Sequence, residues 1–421
     1  MYLELVDNEM MDRSLLKNTA YLYILTFSNY FFGFITLPYQ TRVLGPEIYG
    51  ILGFAAAFQV YFNLILDFGF LLSGTKFVAE NANDKNELSR ILSGITISKI
   101  LLFIIITFIF ILVSVNITYL WIHVEILLLY LFLAGINSLL PDYLYRGLEQ
   151  MRSITVRTLI TRICFTSLIF IFLKSPEQYY MVPLFQIVGT IVALIWVYND
   201  IHHKFHLHFS IVNIEYIKRL YKDSLPYFLS RIASSIYNVT NTVILGFVYS
   251  SGNILGYYSS VDRIRGLAAQ GCSPIADSFY PYMLRSRDYK SLFRITFVIE
   301  ILILISCALL WVFSEQICAI VFGSEFADAA TIFRYIIPLI AIILPTYMFG
   351  FPALSPLGLA KWANISVEIA MVNQLIWILI LFFTNQISVY TICSATISSE
   401  VICMSTRICV FGWHYYKIYT K

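Results

Sequence analysis

The sequence predicts an all-α integral membrane protein of twelve transmembrane helices, arranged as two six-helix lobes related as repeats around a central cavity. Hydrophobic residues make up 59% of the 421 and charged residues only 13%, with a mean hydropathy of +0.76. A soluble domain carries about 25% charged residues, so this chain is solvated mainly by lipid. Its apolar runs are roughly 20 residues long, enough to cross about 30 Å of hydrocarbon at 1.5 Å per residue. The runs are continuous rather than alternating, so helices, not a barrel, satisfy the backbone.

The spans are expected near 17–37, 49–74, 91–115, 119–141, 154–173, 179–198, 225–249, 254–276, 294–313, 331–351, 364–383 and 388–412. The segment before the first holds Glu4, Asp7, Glu9 and Asp12, unlike the basic start of a cleavable signal peptide, so none is expected. Nineteen Lys and Arg fall in the tails and even-numbered connections, against two, Arg42 and Lys174, in the odd-numbered ones. That asymmetry predicts both termini in the cytoplasm. The outer connections are short, the longest being 314–330, too short for a domain with its own core. All seven cysteines lie in or beside apolar spans, which argues for packing rather than a disulfide framework.

The longest inner connection, 199–224, carries His202, His203, His206 and His208 without a recognisable metal-ligand spacing, and reads as a cytoplasmic linker. It separates an N-terminal lobe, 1–198, from a C-terminal lobe, 225–421. A shift of 206 residues lays Gly50 on Gly256, Thr36 on Thr242 and Asn29 on Ser235. Six-span halves of matching topology are a recurring transporter plan.

Seven of the 28 Lys and Arg are read as intramembrane: Lys99, Arg162, Arg231, Arg263, Arg265, Arg334 and Arg407. The acids read with them are Asp67, Asp262, Glu300, Glu368 and Glu400. An ionised group at that depth faces a bundle interior or a water-filled cavity, and the excess of cations points to an anionic cargo. Polar residues recur at helical spacing in four spans. Span 7 shows Arg231, Ser234, Ser235, Asn238, Asn241 and Thr242; span 8 shows Ser259, Asp262, Arg263, Gly266, Gln270 and Ser273. Span 2 shows Gln59, Asn63 and Asp67, and span 1 Thr26, Asn29, Gly33, Thr36 and Gln40. Such faces line helix contacts or water. Asp262 pairs with Arg265 at i+3, which leaves Arg263 the freer cation. Arg407 and Arg162 lie toward the cytoplasmic boundary and Arg334 toward the outer one, where snorkelling accounts for them.

Guanidinium groups bind phosphate and pyrophosphate through forked hydrogen bonds, and Asn, Gln, Ser and Tyr suit sugar hydroxyls. No phosphate-binding loop, nucleophile elbow or metalloprotease motif occurs, so neither an ATPase nor an enzyme is expected.

Three motifs carry a family resemblance: Leu37–Gly50 with its continuation Asp67-Phe68-Gly69-Phe70, the run Tyr145–Met151, and Phe322–Phe326. Over essentially its whole length the chain resembles the bacterial O-antigen (O-unit) flippases of the Wzx type. Their superfamily also holds multidrug exporters and the peptidoglycan-precursor flippase. The resemblance implies translocation of undecaprenyl-pyrophosphate-linked oligosaccharide repeat units, as for O-antigen or a similar surface polysaccharide. Transfer would run from the cytoplasmic to the periplasmic leaflet of the bacterial inner membrane by alternating access. It implies membrane lipids as surroundings, a polysaccharide polymerase and a chain-length regulator as partners, no nucleic acid and no cofactor. Coupling to H+ or Na+ stays open. The candidate substrate-binding residues are Arg231, Arg263, Arg265, Asn238, Arg42 and Lys99, with Asp67 as the candidate coupling residue and no metal ligand. The alternative is a cation-coupled small-molecule or drug antiporter on the same fold, which would favour an acidic cavity.

Overall fold

The computed structural model describes the backbone of residues 2–249 and 252–419, and the side chains of 21, 23–28, 31–232, 239–249 and 252–417. Helices α1 (Tyr2–Asp67), α2 (Phe70–Glu80), α3 (Lys85–Asn116), α4 (Thr118–Ile122) and α5 (Val124–Ser138) come first. Then follow α6 (Asp142–Gly147), α7 (Met151–Phe172), α8 (Met181–Asp200) and α9 (Ile214–Val248). The remainder holds α10 (Ile254–Ser286), α11 (Tyr289–Val312), α12 (Ser314–Phe322), α13 (Ala329–Met348), α14 (Phe351–Leu354), α15 (Ala360–Phe383) and α16 (Val389–Tyr419). No strand occurs among the described residues.

The expected spans fall on these helices, but 49–74 is divided between α1 and α2, 119–141 between α4 and α5, and 331–351 between α13 and α14. Among the described residues, eight helical stretches are long and apolar enough to cross a membrane. Expected spans 1 and 2 run together in one of these stretches, Tyr23–Glu80, and Val239–Val248 is a shorter apolar helix. The chain is a multi-pass helical membrane protein.

Two compact units divide it: Met1–Thr36 with Ala55–Ile232, and Leu37–Phe54 with Ala233–Lys421. In the first, Phe70, Ile91, Ile95, Tyr143, Leu144 and Leu220 form the buried centre. Residues 199–224 lie in this unit and are bound to α3 at several points. Ser210 N donates to Ser93 Oγ at 2.9 Å, Tyr221 Oη to the Ser98 carbonyl at 2.9 Å, and Tyr216 Oη to Glu87 at 3.1 Å. Gly94 keeps α3 close, since a Cβ there would stand 2.7 Å from Leu220. Asp84 caps α3 by accepting from the Asn86 and Glu87 amides.

The second unit centres on Met283, Leu292, Leu344, Met348, Ala353 and Phe411. It includes the bend of α1 at Gly45 (φ 69, ψ 170), a backbone conformation that favours glycine. Pro46 follows and has no amide hydrogen to carry the ladder across the bend. Beyond the bend, α1 crosses the start of α10 with almost no separation. A Cβ on Gly50 would meet Gly256 N at 2.7 Å, and one on Gly53 would meet Ser259 Oγ at 2.4 Å. Both pairs stand 206 residues apart in sequence.

The crossing is testable by adding one methyl group. A Cβ on Gly256 would lie 1.8 Å from the Pro46 carbonyl oxygen, whereas one on Gly266 meets nothing within 4 Å. Gly256→Ala is expected to lower stability by about 1–3 kcal/mol through overpacking, and Gly266→Ala to leave it unchanged. Thermal unfolding of the purified variants in detergent reads the difference; equal midpoints would mean the helices separate there at little cost.

Candidate functional site

Helix α1 ends at Asp67 because Phe68 (φ 43) and Gly69 (φ 79) both take left-handed backbone conformations before α2 begins. Gly69 is required here by space as well as by conformation. A Cβ would stand 2.7 Å from the Ser224 carbonyl and 2.8 Å from Phe228 N on α9. Ser73 Oγ lies 2.7 Å from Ser224 Oγ, and the Phe68 and Phe228 rings stack with centroids 4.5 Å apart. The broken helix is therefore held against α9, and the Asp67 carboxylate emerges beside the break.

A carboxylate at a helix C-terminus opposes the helix dipole, and two cations offset it. Arg231 Nη1 on α9 donates to Asp67 Oδ2, and Lys99 Nζ on α3 lies 3.9 Å from Oδ1. Lys99 is 4% exposed. Its ammonium also donates to the Ser138 carbonyl at 2.8 Å, in the last residue of α5, and sits 5.6 Å from the centre of the Tyr143 ring. Lys99 thus joins two helix C-termini and one acid. A second ion pair lies within electrostatic reach of Lys99: Arg157 Nη2 donates to Asp142 Oδ1 at 2.7 Å. By sequence Arg157 belongs with the connections; in the fold it is buried within α7. The repeat of Arg157, Thr158, Thr161 and Arg162 at helical spacing was the signal for that face.

In the second unit, Arg265 Nε donates to Asp262 Oδ1 at 2.6 Å, the i,i+3 pair that the spacing anticipates. Arg263 is exposed and makes no hydrogen bond or ion pair among the described residues, with the Tyr49 phenol in its electrostatic reach. Arg42 donates to the Ile320 carbonyl in the last turn of α12. Two family motifs meet there: the Glu325 carboxylate lies beside Gly45, Tyr257 Oη donates to the Glu325 carbonyl at 3.0 Å, and Tyr49 packs edge-on against Phe326.

Two boundary cations behave otherwise than snorkelling suggests. Arg407 is only 8% exposed and donates to the Thr346 carbonyl, the Ala363 carbonyl and Ser366 Oγ. Arg162 lines a cavity inside the first unit. Arg334 pairs with Glu315 at 3.1 Å. Part of the expected stripe on span 7 is structural. Asn241, 4% exposed, donates to Thr396 at 2.8 Å and accepts from Gln374 at 2.8 Å. The side chains of Asn29, Ser234, Ser235 and Asn238 lie outside the described residues. Of the candidate set, Lys99, Arg231 and Asp67 come together in the first unit, and Arg42, Arg263 and Arg265 belong to the second.

Residues 15–287 match the family model described as polysaccharide biosynthesis protein. The chain belongs to that family. Two proteins provisionally named O-antigen transporters are similar to this family member. The one from Escherichia coli (strain K12) is 28% identical over 64% of the chain, and the one from Shigella dysenteriae 29% identical over 65%. The match spans 64% of the Escherichia coli protein's own length, less than two thirds of it. Among solved structures, the lipid II flippase MurJ in an inward closed conformation gives a TM-score of 0.68 at 13% identity, over 93% of this chain and 87% of its own. An inward-facing multidrug resistance transporter of the MATE family gives 0.65 at 18% identity, over 94% of each chain. At these identities the likeness is one of fold.

The charge cluster predicts an order of stabilities. Asp67→Asn removes the counter-ion of Lys99, whose side chain is 5% exposed, and breaking a buried pair costs roughly 3–5 kcal/mol. Arg231→Gln removes a side chain that is 40% exposed, so its cost is smaller. Asp67→Asn combined with Lys99→Met is expected to recover much of the loss, because no unpaired charge stays buried. Denaturant midpoints of the four proteins check the order; a double variant no better than Asp67→Asn would remove Lys99 from the cluster's energetics.

Proposed function

We propose that the protein translocates a lipid-linked oligosaccharide, carried on undecaprenyl pyrophosphate, from the cytoplasmic to the outer leaflet of the bacterial inner membrane. The observation that carries this reading is Arg263, an exposed guanidinium on the polar face of α10 without a hydrogen bond or ion pair among the described residues. A free guanidinium in a lipid-solvated chain suits a forked contact with phosphate. Membership of a polysaccharide biosynthesis family and similarity to proteins named O-antigen transporters supply the class of cargo.

On this reading a cytoplasm-open cavity admits the glycan head and its pyrophosphate while the polyprenyl tail stays in lipid. Arg263 makes the first anion contact. Arg231 and Arg265 enter with their counter-ions Asp67 and Asp262, and the cargo phosphate competes for the guanidinium donors. Alternating access then presents the head to the other side. Asp67 is the group through which H+ or Na+ would act, because neutralising it loosens Arg231. Both termini lie in the cytoplasm, and a polymerase with its chain-length regulator takes over the delivered unit. The antiporter alternative loses support from the same geometry: Asp67 and Asp262 already hold cations, which leaves them poor sites for a cationic drug.

Arg263→Ala is expected to lower surface glycan at least tenfold at unchanged protein abundance, with lipid-linked units accumulating inside, and Arg263→Lys to retain part of the display. Immunoblotting of protein and surface glycan in a complemented deletion strain measures both. Normal glycan with heightened drug sensitivity in the deletion strain would favour the antiporter.

A further inference from the structure

Among the eight membrane-length stretches of the described residues, α11 is the most open to lipid: 11% of its apolar run is buried, the smallest share of the eight. Its inward side, with Leu292, Thr296, Ile299, Ile303 and Cys307, packs into the second unit. The outward face carries Lys290, Arg294, Phe297, Ile301 and Ile305, all exposed and spaced four, three, four and four residues apart. Two cations thus head a stripe that is otherwise apolar. From Phe297 to the exposed Ala308 the stripe runs about 16 Å at 1.5 Å per residue. That is comparable to one leaflet of a hydrocarbon core about 30 Å thick.

The corner that joins α10 to α11 adds two more cations. Arg285 lies in the last turn of α10, and Arg287 ends that helix in a left-handed conformation (φ 50). Asp288 alone then separates Arg287 from the start of α11 at Tyr289. The side chains of Arg285, Arg287, Lys290 and Arg294 are exposed, and none makes a hydrogen bond or ion pair among the described residues. Asp288 is the one acid between Asp277 and Glu300, and its carboxylate is already engaged. It accepts from Ser291 N at 3.1 Å, from Ser291 Oγ, and from Tyr282 Oη at 3.1 Å. Glu300, the next acid along α11, has its Oε2 buried in the protein. The corner therefore carries four positive charges against one committed negative charge.

The general bias of basic residues toward one side of a membrane is the first reading to weigh. It accounts for their number and not for their register. Lys290, in the first turn of α11, opposes the helix dipole, which favours anions at that end. Arg294 lies five residues after Tyr289, about 8 Å into the helix, on the same face as Lys290. Its side chain leans toward the helix N-terminus and returns the guanidinium to the membrane boundary. Exposed Tyr280 and Tyr282 on α10 mark the headgroup level. A cluster of four Lys and Arg directly outside a transmembrane helix attracts anionic lipid heads, and the stripe beneath it offers contact to an acyl chain.

We infer that the α10–α11 corner is a headgroup-selective lipid site. An anionic glycerophospholipid sets its phosphate among Arg285, Arg287, Lys290 and Arg294 and lays an acyl chain along Phe297, Ile301 and Ile305. The lipid offsets the charge that the chain leaves unpaired and holds this corner at the membrane surface. The site is independent of the cargo proposed above.

Native mass spectrometry of the full-length protein in neutral detergent, supplied with equal phosphatidylglycerol and phosphatidylcholine, reads which lipid is retained. The parent is compared with Lys290→Gln/Arg294→Gln, with Arg294→Lys, and with a control of equal charge loss. The control is Lys85→Gln/Arg152→Gln, at exposed positions of the first unit. The parent is expected to retain phosphatidylglycerol in preference, and Lys290→Gln/Arg294→Gln to lower that preference about tenfold. Arg294→Lys and the control are expected to keep most of it. No preference in the parent, an equal loss in the control, or an undiminished preference in Lys290→Gln/Arg294→Gln would overturn the inference. Displacement of the lipid by inorganic phosphate would overturn it too, because the cations would then bind phosphate without the apolar stripe. Should Lys290→Gln/Arg294→Gln fail to purify, Arg294→Gln against Arg294→Lys decides in the same assay.

Discussion

Helix ends inside a bilayer leave carbonyl oxygens that water cannot reach, and two cations of this protein are placed on such oxygens. Lys99 covers the Ser138 carbonyl at the end of α5, and Arg407 the Thr346 carbonyl near the end of α13. Each uncovered carbonyl would cost several kcal/mol in hydrocarbon, and each unpartnered cation at mid-bilayer about 2.5–3.5 kcal/mol on insertion scales. Brought together, the two liabilities offset one another. The breaks at Leu139–Pro141 and at Phe349–Gly350 are thereby tolerated within spans that lipid would otherwise force to be continuous.

The same constraint explains why the family motifs sit where they do. The bend at Gly45 opens the ladder of α1, and the α12 loop closes over it with Phe322 and Phe326 buried and Glu325 against the bend. Glycine is needed at 50 and 256 because backbone fills the opposing space, and at 53 because the Ser259 side chain does. A motif written as Tyr49-Gly50 at one end of the chain and Gly256-Tyr257 at the other is therefore a single packing device seen twice.

Much of this was legible in the sequence. Apolar run length pointed to the eight stretches that are long and apolar enough to cross a membrane among the described residues, and polar spacing marked the faces of spans 7 and 8, including the Asp262–Arg265 pair. What spacing could not say is which polar residue a neighbouring helix consumes. Asn241 shares its face with Arg231, yet Thr396 and Gln374, more than 130 residues away, take up its hydrogen bonds. Arg407 looked like a snorkelling residue because its partners are backbone carbonyls, which carry no identity in a sequence. Arg157, three residues inside the expected span, reads as a boundary residue; α7 begins at Met151 and buries it.

Sorting the seven intramembrane cations by partner leaves an uneven set. Lys99, Arg231, Arg265, Arg334 and Arg407 have named partners, and Arg162 also has an interaction partner. Arg263 alone has neither hydrogen bond nor ion pair among the described residues. In each unit one guanidinium holds an acid. The Arg231 side chain is 40% exposed against 16% for Arg265, and its acid lies on another helix rather than one turn away on its own. Water therefore screens the Arg231–Asp67 contact more than the Arg265–Asp262 contact, and the charge beside the helix break that Gly69 makes is the less tightly held of the two.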